Sequence, residues 1–196
     1  MLIDVVEADR IDALAGGRSH GGVIGLVGAR RDRPIETLLA EVGEKPLLVL
    51  LDGIEDPFNF GQAVRSLYGA GVEGLVVRRS WDTALGIVTR ASAGASELLP
   101  TARVPSIEAA AAAAREAGLR VISAVADPAA TEIHRADLTG GLLLVIGGER
   151  RGVTRSFVEK ADALVRIGYG RDRAPDLGAA AAAAIIGFEA LHQRRG

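Results

Sequence analysis

Cysteine is absent from the 196 residues, which excludes disulfides, thiolate zinc sites and catalysis through a cysteine nucleophile. Imidazoles are scarce: His20, His134 and His192 have no pairing at metal-ligand spacing, so no metal is expected. No apolar run approaches the roughly 20 residues that span a bilayer. Met1 to Arg10 is too acidic and too broken for a signal peptide. A soluble, cytoplasmic protein without a membrane partner is therefore expected. Excess charge is missing too. A formal net charge of −2 argues against a surface that clamps nucleic acid all over, because phosphate binding draws its affinity from neutralised charge.

What is present starts with a 48% share of hydrophobic residues, enough for one sizeable domain core plus a short extension. The cations are nearly all arginine, many in close groups: Arg30/Arg31/Arg33, Arg78/Arg79, Arg150/Arg151, Arg171/Arg173 and Arg194/Arg195. Arginine forks suit phosphate, although such doublets are ordinary solvated surface in an Ala- and Arg-rich chain. Those at 150 and 171 gain weight from the motifs beside them.

Apolar, strand-like runs alternate with helical segments, the pattern of an α/β fold whose parallel sheet is covered by helices on both faces. Strands are expected at 23–27, 47–51, 74–77, 120–125, 142–146 and 163–167, and helices at 35–42, 60–70, 83–91, 107–117, 154–160 and 177–194. In the last helix Ala181, Ala184, Ile185, Phe188 and Leu191 form a stripe that needs burial. Residues 1–45 read as a short extension or linker and 46–196 as the main domain, with Gly43 to Pro46 as the boundary.

Ligands of open α/β sheets bind beyond the carboxyl ends of strands, and three segments stand there. The first is LDGIEDPFNFGQAVRSLYGAG from Leu51: Pro57 ends the strand, Asn59 is a candidate helix cap, Gly61 permits close backbone approach, and Arg65 follows within about two turns. The second, VIGGERRGV, ends a strand in Gly147 and Gly148 beside Glu149, a carboxylate able to accept hydrogen bonds from a ligand or an arginine. It carries neither a Walker Lys-Ser/Thr nor an ordered GxGxxG. The third, VRIGYGRDRAPDLGAAAAAAI, passes from a strand through a polar loop into a small-residue helix, with Arg173 where a dinucleotide motif needs its third glycine.

In order and spacing these segments resemble the SpoU/TrmH methyltransferases of the SPOUT group. Asp56, Pro57, Asn59, Gly61 and Arg65 are similar to their D-P-x-N-x-G-x-x-x-R motif, and Gly147, Glu149 and Gly152 to their G-x-E-x-x-G. Arg90 to Ala95 resembles their Ser-Ala-Gly-Ala stretch, and His20-Gly21-Gly22-Val23 their His-Gln-Gly-Val entry. The third motif departs: Asp176, Gly178 and Ala180 stand where relatives carry Ser, Asn and Ser.

The resemblance implies a C-terminal trefoil knot, a homodimer, and S-adenosylmethionine as cofactor, contacted by Gly147, Ile167 and Leu177. It implies methyl transfer to a ribose 2'-hydroxyl of structured RNA, ribosomal or transfer. Arg65, Asn59 and Glu149 are the implied catalytic residues, and residues 1–45 stand where many relatives place an RNA-binding domain. A guanidinium with a pKa above about 12 is a poor base, so Arg65 is expected to clamp the phosphate and stabilise the developing alkoxide. The altered third motif keeps open a catalytically weakened RNA-binding relative that retains the cofactor pocket. A generic α/β small-ligand protein is the third reading.

Overall fold

The computed structural model describes every residue except 1, 2, 16, 19, 27, 29–32, 80, 149–151 and 172–175. The chain divides into two compact units, Met1–Arg31 and Asp32–Gly196.

In the first unit, helix α1 (Ala8–Ala15) is followed by a turn held by His20. Its Nε2 lies 2.6 Å from Asp12 Oδ1, and its Nδ1 accepts from Gly22 N at 3.0 Å. Gly21 and Gly22 adopt φ of 62° and 79°, a left-handed pair that glycine takes without strain. No strand forms over the described residues 23–26. Val23 and Leu26 are 76% and 87% exposed, and without a partner ladder or a buried face an extended run gains nothing from pairing.

The second unit contains α2 (Ile35–Glu41), β1 (Leu47–Asp52), α3 (Pro57–Gly69), β2 (Gly74–Val77), α4 (Leu85–Ala91), α5 (Ala95–Leu98), β3 (Thr101–Arg103) and α6 (Ile107–Glu116). Then follow β4 (Arg120–Ala124), β5 (Thr131–Glu132), β6 (Leu142–Gly147), α7 (Arg155–Val158), β7 (Ala163–Arg166) and α8 (Ala179–Arg195). The strands make one seven-stranded parallel sheet in the order β3-β2-β1-β6-β4-β7-β5. Every residue of β1 is buried, as expected of a central parallel strand covered on both faces. Alternation divides it: Leu47, Val49 and Leu51 join the core that holds Val64, Leu67 and Ile186, while Leu48 and Leu50 join that of Leu38, Ile107 and Phe157. Helices α3 and α8 therefore cover one face, and α2, α6 and α7 the other. The short strands β3 and β5 escape the sequence reading because a few residues carry no period.

Helix α3 starts earlier than the pattern suggests. Asp56, not Asn59, is its cap: the carboxylate accepts from Asn59 N at 2.7 Å and Pro57 occupies the first turn, where its missing N–H costs nothing. Gly61 serves packing, since a Cβ there would lie 2.6 Å from Ala91 Cβ and 2.8 Å from Val88 O of α4. The Ser-Ala-Gly-Ala stretch is structural as well. Ala93 and Gly94 turn with φ of 51° and 84°, and the fully buried Ser92 bonds Ser96 through Oγ at 3.1 Å.

Helix α8 packs on α3 through its small residues Ala183, Gly187 and Ala190. A Cβ on Gly187 would stand 3.1 Å from Ala70 Cβ and 3.2 Å from Leu67 Cδ2. The bulkier stripe singled out in the sequence is the uncovered face of the single chain: Ile185 and Phe188 are 40% and 49% exposed. Close helix contact selects small side chains, which a hydrophobic period does not rank. At the far end Arg194 donates to the carbonyls of Lys45 (2.8 Å), Leu138 (3.0 Å) and Gly140, tying α8 to the segments that start β1 and β6.

Candidate active site

Strand β1 is the switch point of the sheet, flanked by β2 on one side and β6 on the other, and two clefts open at the carboxyl ends there. The larger, of about 330 Å³, is lined at the ends of β4, β6 and β7 and by the segment leading into α8. Gly147, Ile167 and Leu177 all line it, so three residues spread over thirty-one positions of sequence share one wall system.

Its floor is made by glycine. The chain leaves β6 at Gly147 and doubles back, with Gly152 N donating to Gly148 O at 3.0 Å and Gly152 at φ 56°. A Cβ on Gly147 would lie 2.5 Å from Gly152 C, and one on Gly148 would overlap the Gly53 carbonyl oxygen. The glycines are thus required by backbone meeting backbone as well as by the cleft. Opposite, Leu177 N donates to Tyr169 Oη at 3.1 Å, closing the loop that leads to α8. Ile146, Ile167, Leu177 and Ile186 give the cleft apolar walls. Arg166 reaches its rim, but the guanidinium is committed to Glu132 Oε1 at 2.6 Å and Ala130 O at 3.2 Å. A cleft with apolar walls and no uncommitted cation among the described lining residues fits an adenosyl group better than a nucleotide phosphate.

Asp176 also lines this cleft and is exposed. Gly178 caps α8 by backbone position only, without a side-chain hydrogen bond, and Ala180 packs partly buried against the core. Glu149, like Arg150 and Arg151, lies outside the described residues.

Arg65 and Asn59 line neither cleft. Six positions apart on α3, they differ by about 120° around the axis, and no hydrogen bond joins them. Arg65 is exposed and makes no hydrogen bond or ion pair with the described residues. It shares an outward face with Phe58 and Tyr68, 52% and 44% exposed, seven residues before it and three after. Phe188 of α8 borders this face, 3.8 Å from where a Gly69 Cβ would stand.

The smaller cleft, of about 290 Å³, lies beyond β1 and β2; the first segment singled out in the sequence lines it from Leu51 to Glu55 and at Phe60, and Val77 to Arg79 with Trp81 complete it. Asp52, only 9% exposed, holds Arg78 through Nε–Oδ1 at 2.6 Å and Nη2–Oδ2 at 2.9 Å. That hydrogen bonding pushes the Arg78 pKa above its ordinary value, against a smaller opposing effect of burial. The Arg78/Arg79 doublet is visible in sequence; that an aspartate twenty-six positions earlier fixes one of its members is not.

Residues 46–188 match the family model of the SpoU rRNA Methylase family. The chain belongs to this family. The 23S rRNA (guanosine-2'-O-)-methyltransferase RlmB of Burkholderia sp is 36% identical over 190 residues, covering 96% of this chain and 76% of that protein. Among solved structures, the AdoMet-bound rRNA methyltransferase from Sinorhizobium meliloti superimposes with a TM-score of 0.83 at 25% identity, over 95% of this chain and 70% of that one. The SpoU methyltransferase AviRb from Streptomyces viridochromogenes gives 0.74 at 27% identity, over 84% of this chain and 65% of that one. The SpoU motifs read from sequence thus sit on a SpoU fold, with the parallel sheet and its two helical layers as expected.

Proposed function

We infer that this SpoU protein transfers a methyl group from S-adenosylmethionine to a ribose 2'-hydroxyl of ribosomal RNA. The observation that carries the reading is the larger cleft: Gly147, Ile167 and Leu177 converge on an apolar slot, without an uncommitted cation among its described lining residues, at the carboxyl ends of β6 and β7. These residues would hold the cofactor through their backbone and apolar side chains. When bound, it supplies an electrophilic methyl on a sulfonium that is its own leaving group.

The protein's task is then to position the ribose and to stabilise charge as the 2'-hydroxyl gives up its proton to solvent water. Arg65 clamps the adjoining phosphate and stabilises the developing alkoxide, remaining protonated throughout. Asn59 orients the ribose, and Glu149 anchors hydrogen bonds within the pocket. The exposed state of Arg65, unpaired among the described residues, suits a side chain whose partner arrives with the RNA.

The active form is a homodimer in which Arg65 of one subunit serves the cleft of the other. Exposed Phe58 and Tyr68 on the Arg65 face of α3, with exposed Ile185 and Phe188 on α8, support this, because large apolar side chains grouped at a surface mark an association site. Replacing Phe188 with Asp places a charge on that face, and light scattering at micromolar concentration then reads a monomer where the parent reads a dimer. A monomeric parent defeats the pairing.

The C-terminal segment threads a trefoil knot, residues 1–45 are a short extension or linker, the remnant of an RNA-binding domain, and the protein works in the cytoplasm. Among the described residues no helix is long and apolar enough to cross a membrane.

A second reading, of a slowed enzyme, is favoured by Asp176 at the cleft and by Gly178 and Ala180 lacking polar side chains. Calorimetry with adenosylhomocysteine, followed by single-turnover methylation of total RNA, tests the reaction. The triple variant Asp176→Ser/Gly178→Asn/Ala180→Ser, which brings back the polar side chains of the relatives, raises the rate about tenfold, equivalent to about 1.4 kcal/mol. Equal rates with a fast parent remove the second reading; no cofactor binding removes the first.

A further inference from the structure

The smaller cleft has no part in the mechanism above, yet its groups are built rather than incidental. Arg79 Cζ stands 4.4 Å over the Trp81 ring, and its Nη1 donates to Glu55 O at 3.4 Å. Trp81 is itself seated on Phe60, with ring centroids 5.1 Å apart, and is 9% exposed. The indole thus holds one face of an exposed guanidinium and leaves the other to solvent. Beside it, Asp52 occupies Nε and Nη2 of Arg78, and Nη1 keeps donors without a partner among the described residues.

Formal charge decides against a simple phosphate trap. Arg78 and Arg79 face Asp52 and Glu55 in the same lining, so the cleft is balanced, and an anion alone gains little there. A flat heteroaromatic ring gains more: its face stacks on a guanidinium plane, and its acceptor edge meets arginine N–H groups.

The two clefts also share a wall. The loop after β1 lines the smaller one, and a Cβ on Gly53 of that loop would be 3.4 Å from Gly148 N of the larger. A strand lying with one ribose at the larger cleft can therefore place a neighbouring base in the smaller.

We propose that the cleft of Asp52, Arg78, Arg79 and Trp81 is a subsite for an unpaired RNA base next to the methylated nucleotide, stacked on the Arg79 guanidinium. The neighbouring-base assignment rests on the RNA methyltransferase reading; the stacking site itself does not.

Trp81 is the one tryptophan of the chain, so its fluorescence reports on this cleft. A short oligoadenylate produces a saturable change in Trp81 emission, and inorganic phosphate at equal concentration does not. In Arg79→Ala the oligoadenylate binds about tenfold more weakly, as expected for one lost stacking contact, and the RNA KM rises similarly while kcat and adenosylhomocysteine affinity hold. Arg79→Lys keeps the charge without the plane and stays weakened. Unchanged Trp81 emission in the parent, an Arg79→Ala variant that binds like the parent, or full rescue by Lys overturns the subsite. A fall in kcat at constant KM overturns its role in holding RNA. Saturable stacking without any methyl transfer leaves the subsite standing and sinks the enzymatic reading instead.

Discussion

Arg65→Ala lowers methyl transfer by about a hundredfold or more, the scale of losing one charge-stabilising group from a transition state, and leaves adenosylhomocysteine affinity within a few-fold. The reason is positional. Arg65 lines neither cleft and has no partner among the described residues, so its removal leaves no buried group unsatisfied and takes nothing from the cofactor slot. Stability should be unchanged as well, because an exposed side chain on an intact helix contributes only tenths of a kcal/mol. Single-turnover rates, calorimetry and a thermal melt on the same preparation check all three statements. Loss of cofactor binding in the variant would move Arg65 from the RNA side to the cofactor side.

Gly148→Ala has the opposite profile: cofactor affinity falls at least about tenfold and the protein is destabilised by about 1–3 kcal/mol. Its new Cβ overlaps the Gly53 carbonyl oxygen, and neither backbone can move alone, since Gly53 follows β1 and Gly148 follows β6, strands paired in register from Leu47↔Leu142 to Asp52↔Gly147. Relief comes only by opening the loop that floors the larger cleft. Gly152→Ala is the matched control. A Cβ there meets nothing within 4 Å, and its φ of 56° costs about 1–2 kcal/mol of left-handed strain without a collision. Calorimetric titration of both variants separates them; equal loss of affinity would show that conformation, not overlap, governs this loop.

The sheet and its two layers are legible in the sequence because buried parallel strands are continuous apolar runs: Leu47 to Leu51 and Leu142 to Ile146 announce themselves by composition. The start of α3 is legible only to within a few residues, since Asp56 and Asn59 are both good caps and only the observed bond from Asn59 N to Asp56 Oδ1 chooses between them. The stripe of α8 is legible as apolar yet not as uncovered, because a single helix does not reveal which of its faces its own neighbour takes.

By itself the sequence determined the family, through residue types at fixed spacing along one chain: Asp56, Asn59 and Arg65 in one segment, Gly147 and Gly152 in another. Such spacing survives without knowledge of the fold, because each motif is local. Only the tertiary structure decided that Gly147, Ile167 and Leu177 meet at one cleft, that Arg65 faces away from it toward an uncovered apolar surface, and that Asp52 clasps Arg78 while Arg79 lies on Trp81. These are contacts between strands placed side by side by crossovers, and a linear period carries no information about which strand ends will be neighbours.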